Sequence, residues 1–165
     1  MTTTHTATHK GATDDWITPP HVYMPLGRFD LDPCACIPQP WPTATRMLTR
    51  LDDGLRHRWC GRVWLNPPYG PVVGEWLDRL ATHGDGVALV FARTETLWFV
   101  KQIWNRADAC LFLANRLYFY RPTGELGHTN SGGPSVLVAY GPRNVLALEQ
   151  SQLPGTFIKR PWRTT

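Results

Sequence analysis

Asn66-Pro67-Pro68-Tyr69 is the stretch of this sequence whose residue types and spacing could do chemistry, and it directly follows the apolar run Val63-Trp64-Leu65. The run is too short for a helix, and two consecutive prolines cannot continue a hydrogen-bonded strand. A buried strand must therefore end here, delivering an amide, two fixed carbonyls and an aromatic ring to one spot. In open α/β sheets, ligands bind at that carboxyl edge. The combination suits a planar ring bearing an exocyclic amine. Asn66 Oδ1 and the Pro67 carbonyl can accept both N–H bonds of such an amine while Tyr69 stacks on the ring. The plainer alternative is an ordinary strand-ending turn.

Phe29-Asp30-Leu31-Asp32 reads as a second strand, ended by Pro33. A carboxylate at a strand end can receive a cationic or hydroxyl-bearing ligand. Arg93, Thr94 and Glu95 follow the run that ends at Ala92, which places them on the same edge. Arg93 is a candidate for a phosphate or neighbouring-base contact, with a structural cap as the alternative. The loose basic group Arg46, Arg50, Arg56, Arg58 and Arg62, the net charge of +4 and a pI near 9.1 allow a polyanionic partner or a solvated face. Cys34, Cys36, His57 and Cys60 could in principle supply four zinc ligands, but the Cys-x-Cys spacing is tighter than structural zinc sites use. No metal is expected, and the four cysteines are expected as free thiols.

These groups need elements to position them. The 165 residues suffice for one domain with a real core, and no stretch approaches a membrane span. Residues 1–13, rich in Thr and His and carrying His5 and His9, read as a disordered tail without a secretory signal, so a cytoplasmic setting is expected. A short helix is expected over His21–Leu26 with Thr18 as its cap, and another from Pro71 to about His83 stopped by Gly84. A third is expected from a Thr94 cap to about Arg106, with Trp98 and Trp104 in the core. Gly86–Phe91 and Ala109–Leu113 read as buried strands, and Arg116–Tyr120 and Ser135–Tyr140 as a pair joined by the polar segment 122–134. Residues 36–61, with Pro38, Pro40, Pro42 and Asp52-Asp53-Gly54, resist assignment. Strands alternating with helices predict an α/β fold with a mostly parallel sheet ending in an antiparallel hairpin.

The ordered set Asp15-Trp16-Ile17-Thr18-Pro19, Phe29-Asp30-Leu31-Asp32-Pro33-Cys34-Ala35, Asp53-Gly54-Leu55, Trp64-Leu65-Asn66-Pro67-Pro68-Tyr69-Gly70, Arg93-Thr94 with Trp98-Phe99, and Pro134-Ser135-Val136-Leu137-Val138 resembles S-adenosylmethionine-dependent amino methyltransferases. More closely, it resembles the small phage-type Dam-like DNA N6-adenine methyltransferases. The resemblance implies a Rossmann-like class I fold with an abbreviated sheet over residues 14–145, followed by an extension over 146–165. It implies S-adenosyl-L-methionine as cofactor, held by Trp16, Thr18, Pro19, Asp32, Pro33 and Asp53, with Asp52 as second candidate. Cys34-Ala35-Cys36 stands where the family's glycine-rich turn would be.

The same resemblance implies double-stranded DNA as partner, contacted by Arg56, Arg58, Arg93 and Thr94, in a bacterial host's cytoplasm. Catalysis is then expected from Asn66, Pro67, Pro68 and Tyr69 on an adenine flipped out of the stack, with residues 130–133 as a loop over it. The readings kept beside it are methylation of cytosine N4, an RNA base or a protein glutamine, and a silent nucleic-acid-binding module of the same fold.

Overall fold

The computed structural model describes residues 15–160. Its strands are β1 Leu31–Ala35, β2 Arg46–Thr49, β3 Val63–Leu65, β4 Gly86–Phe91, β5 Ala109–Leu113, β6 Ser135–Tyr140 and β7 Gly155–Lys159. They form one sheet in the order β2-β1-β3-β4-β6-β5-β7. Strands β1 to β4 pair in parallel, whereas β6 runs antiparallel between β4 and β5, and β7 runs antiparallel to β5. Five of the seven strands thus share one direction. The ends of β1, β3, β4 and β5 and the start of β6 all lie on the same edge.

The apolar alternation explains why this sheet is covered on both sides. Val63, Leu65, Ala88, Val90, Val136 and Val138 enter one buried cluster, where Leu77 and Leu80 of helix α2 (Val73–His83) and Phe99 of α3 (Leu97–Phe99) meet them. The intervening Trp64, Val87, Leu89, Leu137 and Ala139 point the other way, toward Val22 of α1 (Pro20–Tyr23) and Val145 and Leu148 of α4 (Pro142–Gln150). Side chains two apart share a face, so continuous apolar strands require a helix layer on each side. Gly84 ends α2 in the left-handed region at φ 76°, its N–H donating to the Leu80 carbonyl.

Several local expectations are corrected. Thr18 does not cap α1; Pro19 occupies that position, and Thr18 is buried. Thr94 does not cap α3, which begins after Thr96 and continues as a π-helical turn over Val100–Trp104. Arg116–Tyr120 is not a strand and does not pair with β6. Tyr120 makes only isolated bridges to Ile17 and Leu126, and the two-residue alternation arises because Leu117 and Phe119 pack into the core. The longer apolar runs of β4 and β5 take both edges of β6 instead.

Within 36–61 the chain forms only β2 and a series of turns, so the sheet has just two strands beyond β3 on that side. Residues 146–160, expected as an extension, hold part of α4 and the edge strand β7. The expected tail, 1–13, lies outside the described residues. No described helix is long and apolar enough to cross a membrane.

Candidate active site

The parallel ends of β1, β2 and β3 enclose a cleft of about 360 Å³. Asn66, the first residue after β3, lines it. Its Nδ2 donates to the Trp16 carbonyl at 3.1 Å, which leaves Oδ1 buried and without a hydrogen-bond partner. Since a carbonyl can only accept, this contact assigns the two ends of the amide. Pro67 and Pro68 line the same cleft. Tyr69 does as well, but its ring also stacks on Phe91 at the end of β4. Its hydroxyl is buried without a partner, and burial pushes the phenol well above its ordinary pKa. On its far side a second hollow of about 110 Å³ is lined by Val73, Val90, Phe91, Arg93 and Trp98.

The residues expected to hold a cofactor divide into three groups. Trp16, Pro33 and Asp53 line the cleft. Thr18 and Asp32 sit behind it, on a gap of only about 10 Å³. Thr18 Oγ1 has no partner there, whereas both Asp32 oxygens are engaged. Oδ1 accepts the Cys34 N–H at 3.0 Å and Oδ2 accepts the Thr43 hydroxyl. Burial raises the Asp32 carboxyl to about 6, against the opposing pull of the bonds from Thr43 and Cys34. Pro19 is buried at the start of α1 and touches neither space. Asp52 turns away and accepts from the Thr49 N–H and hydroxyl, each at 2.8 Å.

Gly54 is required where it stands. A Cβ there would lie 1.9 Å from the Pro33 carbonyl oxygen, so the turn after β2 can close on β1, which does not stop at Pro33 as expected but runs on to Ala35, only with glycine. The Trp59 indole N–H locks this turn by donating to the Gly54 carbonyl at 2.8 Å. Asp53, at φ 52°, is thereby held on the cleft wall and pairs with Arg56 at 3.0 Å.

The expected basic group disperses. Arg56 and Arg58 are exposed beside the site. Arg62 is buried, donating to Asn144 Oδ1 at 2.6 Å and to the Leu26 carbonyl at 2.7 Å, with its guanidinium 4.3 Å from the Phe29 ring centre. Arg93 is exposed, 5.8 Å from the Phe91 ring centre, and the Thr94 carbonyl accepts the Trp104 indole N–H. Ser131, in the expected covering loop, is tied back to Leu117, and a Cβ on Gly133 would lie 3.2 Å from the Phe91 ring.

Five cleft residues escaped the sequence reading: Arg50 and Asp15, which pair at 3.0 Å, Ile37, Thr49, and Trp76 of α2. Arg50 stood in the basic group, but a partner 35 residues away leaves no local pattern. Trp76 was visible only as part of a helix's apolar face. The four cysteines are unbridged, and no cluster of three or more His, Cys, Asp or Glu residues suited to a metal occurs among the described residues.

Neither the curated proteins nor the solved structures contain a match to this chain. The family described as DNA N-6-adenine-methyltransferase (Dam) matches residues 5–147. That match spans most of the chain, and the chain belongs to the Dam family of DNA N-6-adenine methyltransferases.

Proposed function

We propose that the chain methylates N6 of an adenine flipped out of double-stranded DNA, using S-adenosylmethionine bound in the cleft between β1, β2 and β3 of a Rossmann-like class I sheet. The observation that carries this reading is the buried, unpartnered Oδ1 of Asn66, whose Nδ2 is committed to Trp16. An orphaned acceptor at that depth costs stability unless a donor arrives.

The cleft fits the cofactor's chemistry. Its size lies in the roughly 300–1,000 Å³ range of small-molecule sites. Asp53 offers a carboxylate to ribose hydroxyls, and Ile37 and Trp76 offer apolar surface to an adenine ring. Arg50 and Asp15 at the wall match the carboxylate and ammonium of an amino-acid end. Trp16 and Pro33 shape the wall, Thr18 carries the free hydroxyl behind it, and Asp32 and Pro19 support it from outside. When bound, the cofactor supplies an electrophilic methyl on a sulfonium.

The exocyclic amine is a poor nucleophile because its lone pair is delocalised into the ring. Asn66 Oδ1 and the Pro67 carbonyl accept its two hydrogens, draw the nitrogen toward a tetrahedral shape and favour the positive charge that develops on it. Pro68 stiffens the turn that carries both acceptors. Tyr69 replaces part of the stacking that the base loses on leaving the duplex. Neither acceptor is basic enough to keep the departing proton, which passes to water. Arg56, Arg58, Arg93 and Thr94 are exposed around this edge and available to DNA phosphates. A bacterial cytoplasm, with the gene of phage or prophage origin, is the setting this reading implies.

Expression in a host lacking its own adenine methyltransferase tests the reading. Nucleoside mass spectrometry should find N6-methyladenine with the wild-type chain. It should be lost with Asn66→Ala, with turnover down on the order of a hundredfold and cofactor affinity by calorimetry unchanged. N4-methylcytosine in its place, or full turnover by Asn66→Ala, would overturn the reading.

A further inference from the structure

Asn66 is held from two sides, and one of them is a thiol. Its carbonyl accepts the Cys34 S–H at 3.1 Å, while its Nδ2 donates to the Trp16 carbonyl. Cys34 is itself fixed from behind, because its backbone N–H donates to Asp32 Oδ1, whose other oxygen accepts from Thr43. The result is a continuous chain, Thr43–Asp32–Cys34–Asn66–Trp16, that crosses from the loop after β1 to the end of β3. The parallel pairing of β1 with β3 covers a single register position, Leu31 with Val63. Beyond it no ladder bond ties Asp32–Ala35 to Asn66, so the thiol contact does.

We propose that Cys34 is a positioning residue: its thiol, anchored by Asp32, fixes the backbone of Asn66 while Trp16 fixes the amide, so that Oδ1 faces the cleft before an amine arrives. The inference rests on the reading of Asn66 as the amine acceptor. The thiol is available as a donor because burial, and then the nearby Asp32 charge, push its pKa well above the ordinary value. It thus remains protonated at working pH. A catalytic amide that must be placed to within about half an ångström gains from such a support. The Cys34-Ala35-Cys36 segment, which replaces the glycine-rich turn, thereby acquires a task on the substrate side of the site.

The test uses the full chain with a duplex substrate. Cys34→Ala should lower kcat roughly fivefold, the size of one neutral hydrogen bond, and lower Tm by a few degrees because the Asn66 carbonyl loses its donor, with cofactor Kd near wild type. Cys34→Ser keeps a donor and should recover most of the loss. In the Asn66→Ala background, Cys34→Ala should cost nothing further, since residues acting as one unit are not additive. An infrared difference spectrum, wild type minus Cys34→Ser, should show an S–H stretch below the free-thiol position, and this readout needs no folded alanine variant. Wild-type kcat in Cys34→Ala, a free-thiol S–H band, or a Cys34→Ser loss equal to that of alanine would overturn the positioning role. Full activity of Asn66→Ala would instead overturn the amine-acceptor reading on which it rests.

Discussion

The Tyr69 and Phe91 rings stack with centroids 4.4 Å apart and planes inclined by 23°. One face of the phenol ring after β3 is therefore covered by the last residue of β4. On the proposed reading only the other face is left for a base, and the covered face holds the ring still without help from its hydroxyl.

Tyr69→Ala should reduce kcat/KM for DNA at least tenfold, and Phe91→Ala by a smaller factor through the same ring. Tyr69→Phe should stay within about twofold of wild type and melt slightly higher, since it removes a buried hydroxyl with no partner. Steady-state kinetics and thermal melts check both, and an inactive Tyr69→Phe would mean that the hydroxyl acts on the substrate.

Gly54→Ala should damage fold and cofactor site together. The new methyl would collide with the Pro33 carbonyl, a backbone atom that cannot swing aside. A loss of about 2 kcal/mol or more is expected, with cofactor affinity reduced because Asp53 moves with the turn. Gly132→Ala, which meets nothing within 4 Å, is the control and should melt near wild type. Calorimetry and thermal melts of the two variants decide.

The Asp32 carboxyl, raised to about 6 by burial and opposed by its bonds from Thr43 and Cys34, gives stability a defined pH slope. An unfolded aspartate titrates near 3.9, so the folded chain binds this proton more tightly. The contribution is fully present below about pH 4 and is lost as pH rises through about 6, amounting to about 3 kcal/mol. Asp32→Asn removes the titration. Its unfolding free energy relative to wild type should therefore rise between pH 4 and pH 7. Groups of opposite sign, such as Asp52 held low by its bonds from Thr49, cancel in the difference. A pH-independent difference would show that the carboxyl is not raised.

Replacing both Arg56 and Arg58 by alanine should weaken DNA binding and flatten its salt dependence by about one to two units of log–log slope. Arg62→Ala should leave that slope alone and lower Tm instead, because it orphans Asn144 Oδ1 and the Leu26 carbonyl. Binding titrations across salt concentrations separate these outcomes; an unchanged slope in the double variant would mark Arg56 and Arg58 as solvated surface.

By itself the sequence determined what depends on neighbours in the chain. Pro67 and Pro68 had to stop β3 and leave Asn66 just past its last residue, the uninterrupted apolar residues of Gly86–Phe91 had to form a doubly covered strand, and Gly84 had to stop α2. These follow from φ restrictions and periodicity, which act over a few residues. Tertiary structure alone decided what depends on partners far along the chain. It placed β6 between β4 and β5 rather than beside Arg116–Tyr120, and it buried Arg62 beneath Phe29 while leaving Arg56 in water. It set Asp32 behind the cleft with both oxygens taken, brought Arg50 to Asp15, and aimed Asn66 Oδ1 by giving its Nδ2 to Trp16, 50 residues away. A side chain's charge and shape are written in the sequence, but its hydrogen-bond partners are chosen by packing, and the partners decide which of its atoms remain free for chemistry.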